Sequence, residues 1–551
     1  MKAWFRKVIA SGDLFIWGSG AGLAIALLMV IGLVALIGIN GLGFFWTSDV
    51  LELTLDDGTR VIGELTGSEQ IPNSVTPEHP QGQTRIQIKV GNRDLYGQDF
   101  RWIDEARIIT RTTPPDVVLL ERQEWGNMYA RIQAIHAQGS PIAAGGDAGW
   151  NALLPLIDNA TMLRTQIRHI EKSEIGSLSD AIERARLKIR KLELALPQEQ
   201  KLQNANPERY TQLHATINNA EAQYHKHIAS LEKLYVDLDT HTAILIDSNG
   251  LETSLPIGKI IRALRPNSMS FHEKTWIYIV NVWEVLTGEP REANTEGGLF
   301  PAIMGTVMMV LVTSIIVVPF GVITALYLGE YARQGVIVKI VRIAINNLAG
   351  IPSIVLGIFG LGFFIYVVGG TIDTFFFAET LPNPTFGTGG LLWASFTLAL
   401  LTVPVAIVST EEGLSAVPRD YREASVGLGA TKFETIWHVV LPVAMPGILT
   451  GFILAIARAT GEVAPLMLTG VVKLAPELPL DTTFPFVHLD RKFMHLGFHI
   501  YDVGFQSPNV EAAMPMIYVT TLVLLIIVVT LNLLAIALRQ RLRKKYAGST
   551  V

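Results

Sequence analysis

Residues 411–442 run EEGLSAVPRDYREASVGLGATKFETIWHVVLP. Pro418 suits the first turn of a helix, where its missing N–H is not needed. Asp420 and Glu423 favour the positive end of the helix dipole. Tyr421, Ala424, Ser425 and Leu428 fall on one helical face. Gly429 can end that helix in a left-handed conformation. Thr431 and Glu434 then supply a capping box for a second helix. The stretch predicts a short amphipathic helix, a glycine elbow and a second helix. A plain connector needs only a few residues, so its length argues for a built surface.

Working outward, apolar runs flank this stretch on both sides, near 391–410 and 447–470. Others lie near 300–328, 343–368 and 513–538, with a further one from Ser19 to Ile39. Each has the roughly 20 apolar residues that cross about 30 Å of hydrocarbon, which gives six spans. The first is longer than the roughly 7–15-residue apolar stretch of a signal peptide. The residues after it, Gly41-Leu-Gly-Phe-Phe-Trp46, offer no small-residue cleavage site, so an uncleaved anchor is expected. Trp46 suits a membrane interface. Of the 551 residues 49% are hydrophobic and 17% charged, against roughly 25% charged in soluble proteins. A soluble multidomain enzyme is excluded. A net charge of −5 makes no case for nucleic acid. The absence of Cys rules out disulfides, thiolate metal sites and cysteine catalysis.

Six spans put both ends on one side. Placing them in the cytoplasm collects fourteen Lys and Arg there: Lys2, Arg6, Lys7, Arg333, Lys339, Arg342, Arg419, Arg422, Lys432, Arg539, Arg541, Arg543, Lys544 and Lys545. The two short outer loops hold Lys473, Arg491 and Lys492. This asymmetry follows the positive-inside rule and sends residues 40–298 outside. Within them, residues 51–65 alternate around Asp57-Gly58, a hairpin signal, and Arg85 to Val90 alternates likewise. Ala243–Ile246 and Leu251–Leu255 flank Ser248-Asn249-Gly250 as a second hairpin. Between them, Ile182, Ala185, Ile189, Leu192 and Leu196, then Tyr210, Leu213, Ile217, Ala220, Tyr224, His227, Leu231, Leu234 and Leu238, recur at three- and four-residue steps. Such spacing predicts a protruding antiparallel coiled-coil hairpin over about 156–240. The expected fold is an all-α polytopic membrane protein of six transmembrane helices with an inserted extracytoplasmic α+β domain. Its parts are 1–39, the N-terminus and first span; 40–298, the insertion; 299–538, a five-helix core with a loop at 411–446; and 539–551, a basic cytoplasmic tail.

Other patterns carry no chemistry. His225 and His227 are two apart on a helix and point to different sides; with His241 they suggest a solvated face rather than a metal site. Gly258-Lys259-Ile260 lacks the upstream Gly and the Ser/Thr of a phosphate-binding loop, so the chain has no Walker A motif and no such ATPase of its own.

Glu423-Ala424-Ser425, Gly429 and Val439-x-Leu441-Pro442 together resemble the EAA signature of binding-protein-dependent ABC-importer permeases, with Ser425 and Val439 as mild departures. The flanks Leu348–Gly360, Leu401-Thr-Val-Pro404, Ser409-Thr-Glu-Glu412 and Ala457-Arg458-Ala-Thr-Gly461-Glu462-Val-Ala-Pro465-Leu466 are similar to the phosphate permeases, and closer to the PstA type than to the PstC type. The resemblance covers about 299–540 and the first span; the insertion is a departure from it. It implies a type-I ABC-importer permease fold and a permease that moves inorganic phosphate across the inner membrane. A PstC-like partner permease, a PstB-like ATPase dimer that uses the ATP and Mg, and a periplasmic phosphate-binding protein are implied too, with no cofactor or metal in this chain and no catalytic residue. The EAA helix, with Arg422, Glu423, Ala424, Ser425 and Gly429, would dock on the ATPase.

Arg458 and Glu462 carry chemistry of their own. A span starting at Gly447 puts Arg458 about 17 Å in, where a charge costs roughly 2.5–3.5 kcal/mol. Four residues apart, the two share a helix face and can pair. One reading is a structural ion pair locking span to span. The other is a charged lining of the substrate pathway, the Arg a forked donor for phosphate oxygens and the Glu preventing too tight a hold. Pro352, Pro404 and Pro465 break hydrogen bonds within spans, and Gly357, Gly360 and Gly362 permit close helix approach. A PstC-like role, another oxyanion, and a membrane receptor with an outer sensing domain are the alternatives. A receptor would need a cytoplasmic output domain, and no inner segment is long enough to hold one.

Overall fold

In the computed structural model, residues 13–71, 83–197, 202–481, 483–507 and 510–547 are described. The basic residues Lys2, Arg6 and Lys7 lie outside them. Among the described residues six helices are long and apolar enough to cross a membrane: Ile16–Gly43, Phe300–Tyr331, Ser353–Phe376, Leu391–Ser415, Lys432–Gly461 and Val510–Arg541.

Two spans differ from the sequence expectation. The third begins at Ser353, not near 343, because Pro352 stands at the N-cap and separates it from an amphipathic helix, Val336–Leu348. The fifth begins at Lys432 and ends at Gly461, not over 447–470. A wide turn at Ile436–Val440 leads the helix past Pro442, whose missing N–H falls in a first turn. The expected loop 411–446 is therefore shorter, since Glu411–Ser415 and Lys432 onward are helical. Pro465 lies beyond the span rather than inside it. The last helix runs on to Ala547, so the start of the basic tail is helical.

The fourth span, Leu391–Ser415, is the buried centre. It packs on the second and fifth spans. Thr397, Thr402 and Thr410 are fully buried there and donate to the carbonyls of Trp393, Leu398 and Ala406, which satisfies hydroxyls that lipid could not. Small residues let the backbones meet: a Cβ on Gly447 would come within 2.6 Å of Gly413 Cα, and one on Gly321 within 2.7 Å of Ala406 Cβ. Of the glycines expected at helix contacts, Gly357 abuts Pro465 and Gly360 abuts Thr397, but Gly362 faces open space. The first span rests on the last, with Gly41 against Tyr518 and Leu522, and its apolar side chains are otherwise exposed.

Among its described residues the insertion holds two large antiparallel sheets and a two-stranded one, Pro290–Arg291 with Glu296–Gly297. In the first the strand order is Phe100–Asp104, Thr84–Lys89, Arg60–Gln70, Val50–Leu55, Ile108–Thr112. Its central hairpin pairs Leu53 with Val61, and Gly58 takes φ +80° in the turn. In the second the order is Glu252–Pro256, His241–Ile246, Asn127–Ala137, Val118–Arg122, Ile260–Leu264, with Ser140–Ala144 also on Asn127–Ala137. Inward residues such as Leu53, Ile86 and Ile88, or Leu120, Met128 and Leu245, make one core per large sheet, and Val50, Ile62, Leu119 and Tyr129 join them. One helical rod, Asp147–Leu194, and a second, Pro207–Leu238, form a hairpin with Ala185, Ile217, Ala220 and Leu231 buried. The rod starts nine residues before the expected 156.

The hairpin does not stand free. Lys172 pairs with Glu289 just before the second span, and Lys191 pairs with Glu379 just after the third, at 3.0 Å. Nineteen residues of helix separate the two lysines, about 28 Å at the helical rise. The hairpin thus lies across one face of the membrane core. That domain face also carries residues 470–481 and 483–507, where Asn294 Nδ2 donates to the Lys473 carbonyl at 3.1 Å. The opposite face gathers the ends of the second and fourth spans, where Arg342 of the amphipathic helix pairs with Glu411 of the fourth span, and Arg422, just beyond that span, pairs with Glu330 of the second.

Candidate functional site

On that opposite face, Arg419–Gly427 is a helix with Pro418 at its N-cap. Leu428 N–H returns to the Ala424 carbonyl and Gly429 N–H to that of Val426. Gly429 then turns the chain at φ +89°. Thr431 accepts from Glu434 N–H while Glu434 accepts from Thr431 N–H, so the capping box starts the fifth span. Ser425 Oγ lies 2.9 Å from Thr435 Oγ1 and closes the elbow. The expected helix–elbow–helix is present in each part.

Arg422 faces its own chain. It donates to the carbonyls of Val417 at 2.6 Å and Leu414 at 2.9 Å, and to Glu330 Oε1 at 2.8 Å. Lys432 donates to the Glu330 carbonyl and lies 5.0 Å over the Tyr331 ring. Two cations therefore bind the elbow to the end of the second span. Glu423 and Ala424 instead face outward. Around them Tyr421, Val426, Leu428, Phe433 and Trp437 are exposed, Leu428 by 90%. Phe433 and Trp437 stack at 6.2 Å. The aromatic pair escaped the sequence reading, although two aromatics four apart just after a capping box are visible there.

Arg458 lies in the last turn of the helix that ends at Gly461, and Glu462 is already extended, φ −83° and ψ 130°. The shared helix face is thus corrected. The two still meet, Nε to Oε1 at 3.7 Å, with the side chains 36% and 24% exposed. Both belong to one segment, so the pair does not tie span to span. The neighbouring Ile456 and Ala459 belong to one core with Met309, Leu398, Leu401 and Leu466, which sets this turn beside the domain-face half of the second and fourth spans. A cation also suits a helix C-terminus. At 3.7 Å the pair leaves most of the five guanidinium donors unspent.

His227 Nδ1 pairs with Glu174 Oε2 at 2.7 Å. Among the described residues no three His, Asp or Glu are placed to hold a metal.

Residues 317–548 match the family described as "Binding-protein-dependent transport system inner membrane component". Over 273 residues the chain is 33% identical to the Mycobacterium tuberculosis "Phosphate transport system permease protein PstA 1", covering 48% of this chain and 81% of that one. The chain belongs to the PstA-type ABC permeases. It is 31% identical over 238 residues to the Bacillus subtilis "Probable ABC transporter permease protein YqgI", covering 42% of this chain and 74% of that one. To the Yersinia pestis "Phosphate transport system permease protein PstA" it is 36% identical over 187 residues, 34% of this chain and 56% of that one. With six apolar helices it is a multi-pass inner-membrane protein.

Proposed function

We propose that the chain is the translocating permease subunit of an ATP-driven importer of inorganic phosphate, and performs no bond chemistry itself. The identity with a phosphate permease over four fifths of that relative's length carries this reading. The elbow supports it. A capped helix pair, pinned from behind by Arg422 and Lys432, presents an apolar and aromatic surface that a soluble partner would cover. That partner is a PstB-like ATPase dimer, which holds the ATP and Mg; Glu423, Ala424, Ser425 and Gly429 form the contact helix and its hinge. The elbow face is then cytoplasmic, and the domain face, with its insertion, is periplasmic. A PstC-like permease completes the pathway, and a periplasmic phosphate-binding protein delivers the anion. Arg458 is the pathway donor, its unspent N–H groups available to phosphate oxygens and Glu462 limiting its grip.

The test is uptake of labelled phosphate by vesicles holding the assembled complex, with sulfate and other oxyanions as competitors. Saturable, ATP-dependent phosphate uptake that sulfate does not suppress is expected. Uptake of another oxyanion in preference would overturn the substrate.

A further inference from the structure

The helix Phe271–Thr287, which closes the insertion just before the second span, is built inside out. Its charged and amide side chains beyond Glu273 point inward. Lys274 pairs with Asp49 at 2.5 Å. Asn281 accepts from Arg262 at 2.5 Å and donates to the Phe45 carbonyl at 3.3 Å. Glu284 pairs with Arg262 and Arg291. The apolar side chains point outward instead. Trp276, Ile279, Trp283 and Leu286 recur at steps of three and four, which keeps them within about 80° of one another around the axis. All four are exposed, the two indoles by 65% and 67%. A helix facing water carries the reverse arrangement.

What the helix touches sets its depth. Phe271 packs on Trp46 and Tyr278 on Phe45, with ring centroids 5.7 and 5.9 Å apart. Both partners lie within three residues of the end of the first span. Toward the other end, the Val285 carbonyl accepts from Leu299 N–H at 2.7 Å, one residue before the second span. From Phe271 to Val285 is about 21 Å of helix, and along that length it keeps to the ends of spans, so its axis runs along the membrane surface. Ile277 joins the insertion core of Val50, Leu119 and Leu264. With the insertion on one side and the span ends on another, the Trp276–Leu286 stripe is the side left open.

We infer that this helix lies in the headgroup layer of the leaflet on the domain face, with Trp276, Ile279, Trp283 and Leu286 immersed in lipid. The stripe continues the exposed apolar side of the first span, where Ile39, Leu42 and Phe44 are uncovered, and the contact of Phe271 with Trp46 joins the two surfaces. Indole rings suit this depth, with an apolar body and a polar N–H. Amphipathic helices of this kind sink their apolar face about 5–10 Å into the boundary of headgroups and acyl chains. A soluble partner would have to enter that layer to reach the stripe. Lipid thereby holds the insertion down on the core, and the contacts of Arg262 with Asn281 and Glu284 fix the second sheet at that level.

The chain has no Cys, so single cysteines report one position each. Trp276→Cys and Trp283→Cys, with Glu252→Cys in the exposed edge strand of the second sheet as control, are labelled with a nitroxide on the full chain, which is then reassembled with its partners in phospholipid vesicles. At 276 and 283 dissolved oxygen should relax the label more than a water-soluble nickel chelate does; at 252 the order should reverse. In the unmodified complex, a carbene probe carried by the lipid at headgroup depth should label the peptide 271–287, a result that does not depend on the variants inserting. Nickel access at 276 and 283 equal to that at 252 would overturn the inference and leave the stripe in water. Access by neither reagent, or no lipid label on the peptide, would overturn it in favour of a protein partner on this face.

Discussion

A single backbone angle controls the elbow. Gly429 sits at φ +89°, yet a Cβ there would touch nothing within 4 Å. Gly429→Val therefore costs backbone strain alone, of order 1–2 kcal/mol. The variant should reach the membrane and assemble but lose most substrate-stimulated ATP hydrolysis, measured on the purified complex; normal stimulation would remove the elbow from coupling. Gly429, Thr431 and Glu434 were legible in the sequence because turns and caps are local. Arg422 was legible as part of a motif, but not as a clamp, since its partner Glu330 is 92 residues away. The extended backbone at Glu462 had a signal that span-counting overrode: Gly461 followed by Pro465 is a helix stop. For the proposed pathway pair, Arg458→Gln alone should cut labelled-phosphate uptake more than tenfold, the loss of at least about 1.4 kcal/mol of binding. Arg458→Gln with Glu462→Gln should assemble normally and still fail to transport. Near-normal uptake by the double variant would leave the pair as a helix-end charge match and nothing more.

Elements were legible to unequal degrees. Long apolar runs announced all six spans; the third span's start and the fifth span's end were misplaced by about ten residues because Pro352 and Pro465, read as interior kinks, lie outside the helices. In the insertion, hairpins with an Asp-Gly or Asn-Gly turn were visible. Val118–Arg122 and Ile260–Leu264 were not: both are five residues long, Ile260–Leu264 pairs with a strand more than a hundred residues off, and the turn joining Val118–Arg122 to Asn127–Ala137 is Trp125-Gly126 rather than Asn-Gly or Asp-Gly. The short helix Leu496–Tyr501 also lacked a signal. Its N-cap is His495, which is fully buried and accepts the Gly497 N–H through Nδ1 at 3.1 Å. Burial pushes His495 down to about 4. His499, beside Thr520, is lowered to about 4 by burial, against the pull of Asp502 and with the help of Lys473. Both sit below the ordinary 6.5, so the unfolded chain binds more protons between those values. Their contribution to stability is complete above about pH 6.5 and is lost as pH falls toward 4. The thermal midpoint should drop between pH 7 and pH 5. His495→Asn, which keeps an acceptor and removes the titration, should flatten that slope; an unchanged slope would assign the acid sensitivity elsewhere. For the helical hairpin, Lys191–Glu379 joins an exposed lysine to a half-buried carboxylate at its far end, a contact of about 1 kcal/mol. Deleting residues 163–238 with a flexible linker should leave measurable uptake with altered dependence on the binding protein. Complete loss, with normal insertion, would make the hairpin obligatory.

At the scale of the molecule, contacts sort the loops onto two faces, and Arg342, Arg422 and Lys432, three of the basic residues that set the expected orientation, lie on the elbow face. A reporter active only outside the cytoplasm, fused near Gly250, should be active, and one after Arg543 silent; the reverse result would invert the proposed topology. The patch of Tyr421, Leu428, Phe433 and Trp437 has a cost when the chain is alone. On the proposed cytoplasmic side, an exposed apolar surface is what chaperones and membrane proteases seize upon. A subunit made in excess of its ATPase would be cleared rather than stored, so its cellular abundance would follow its partner's supply. The same side chains proposed to dock on the ATPase would then act, before assembly, as a tag for degradation that only a matching subunit can hide.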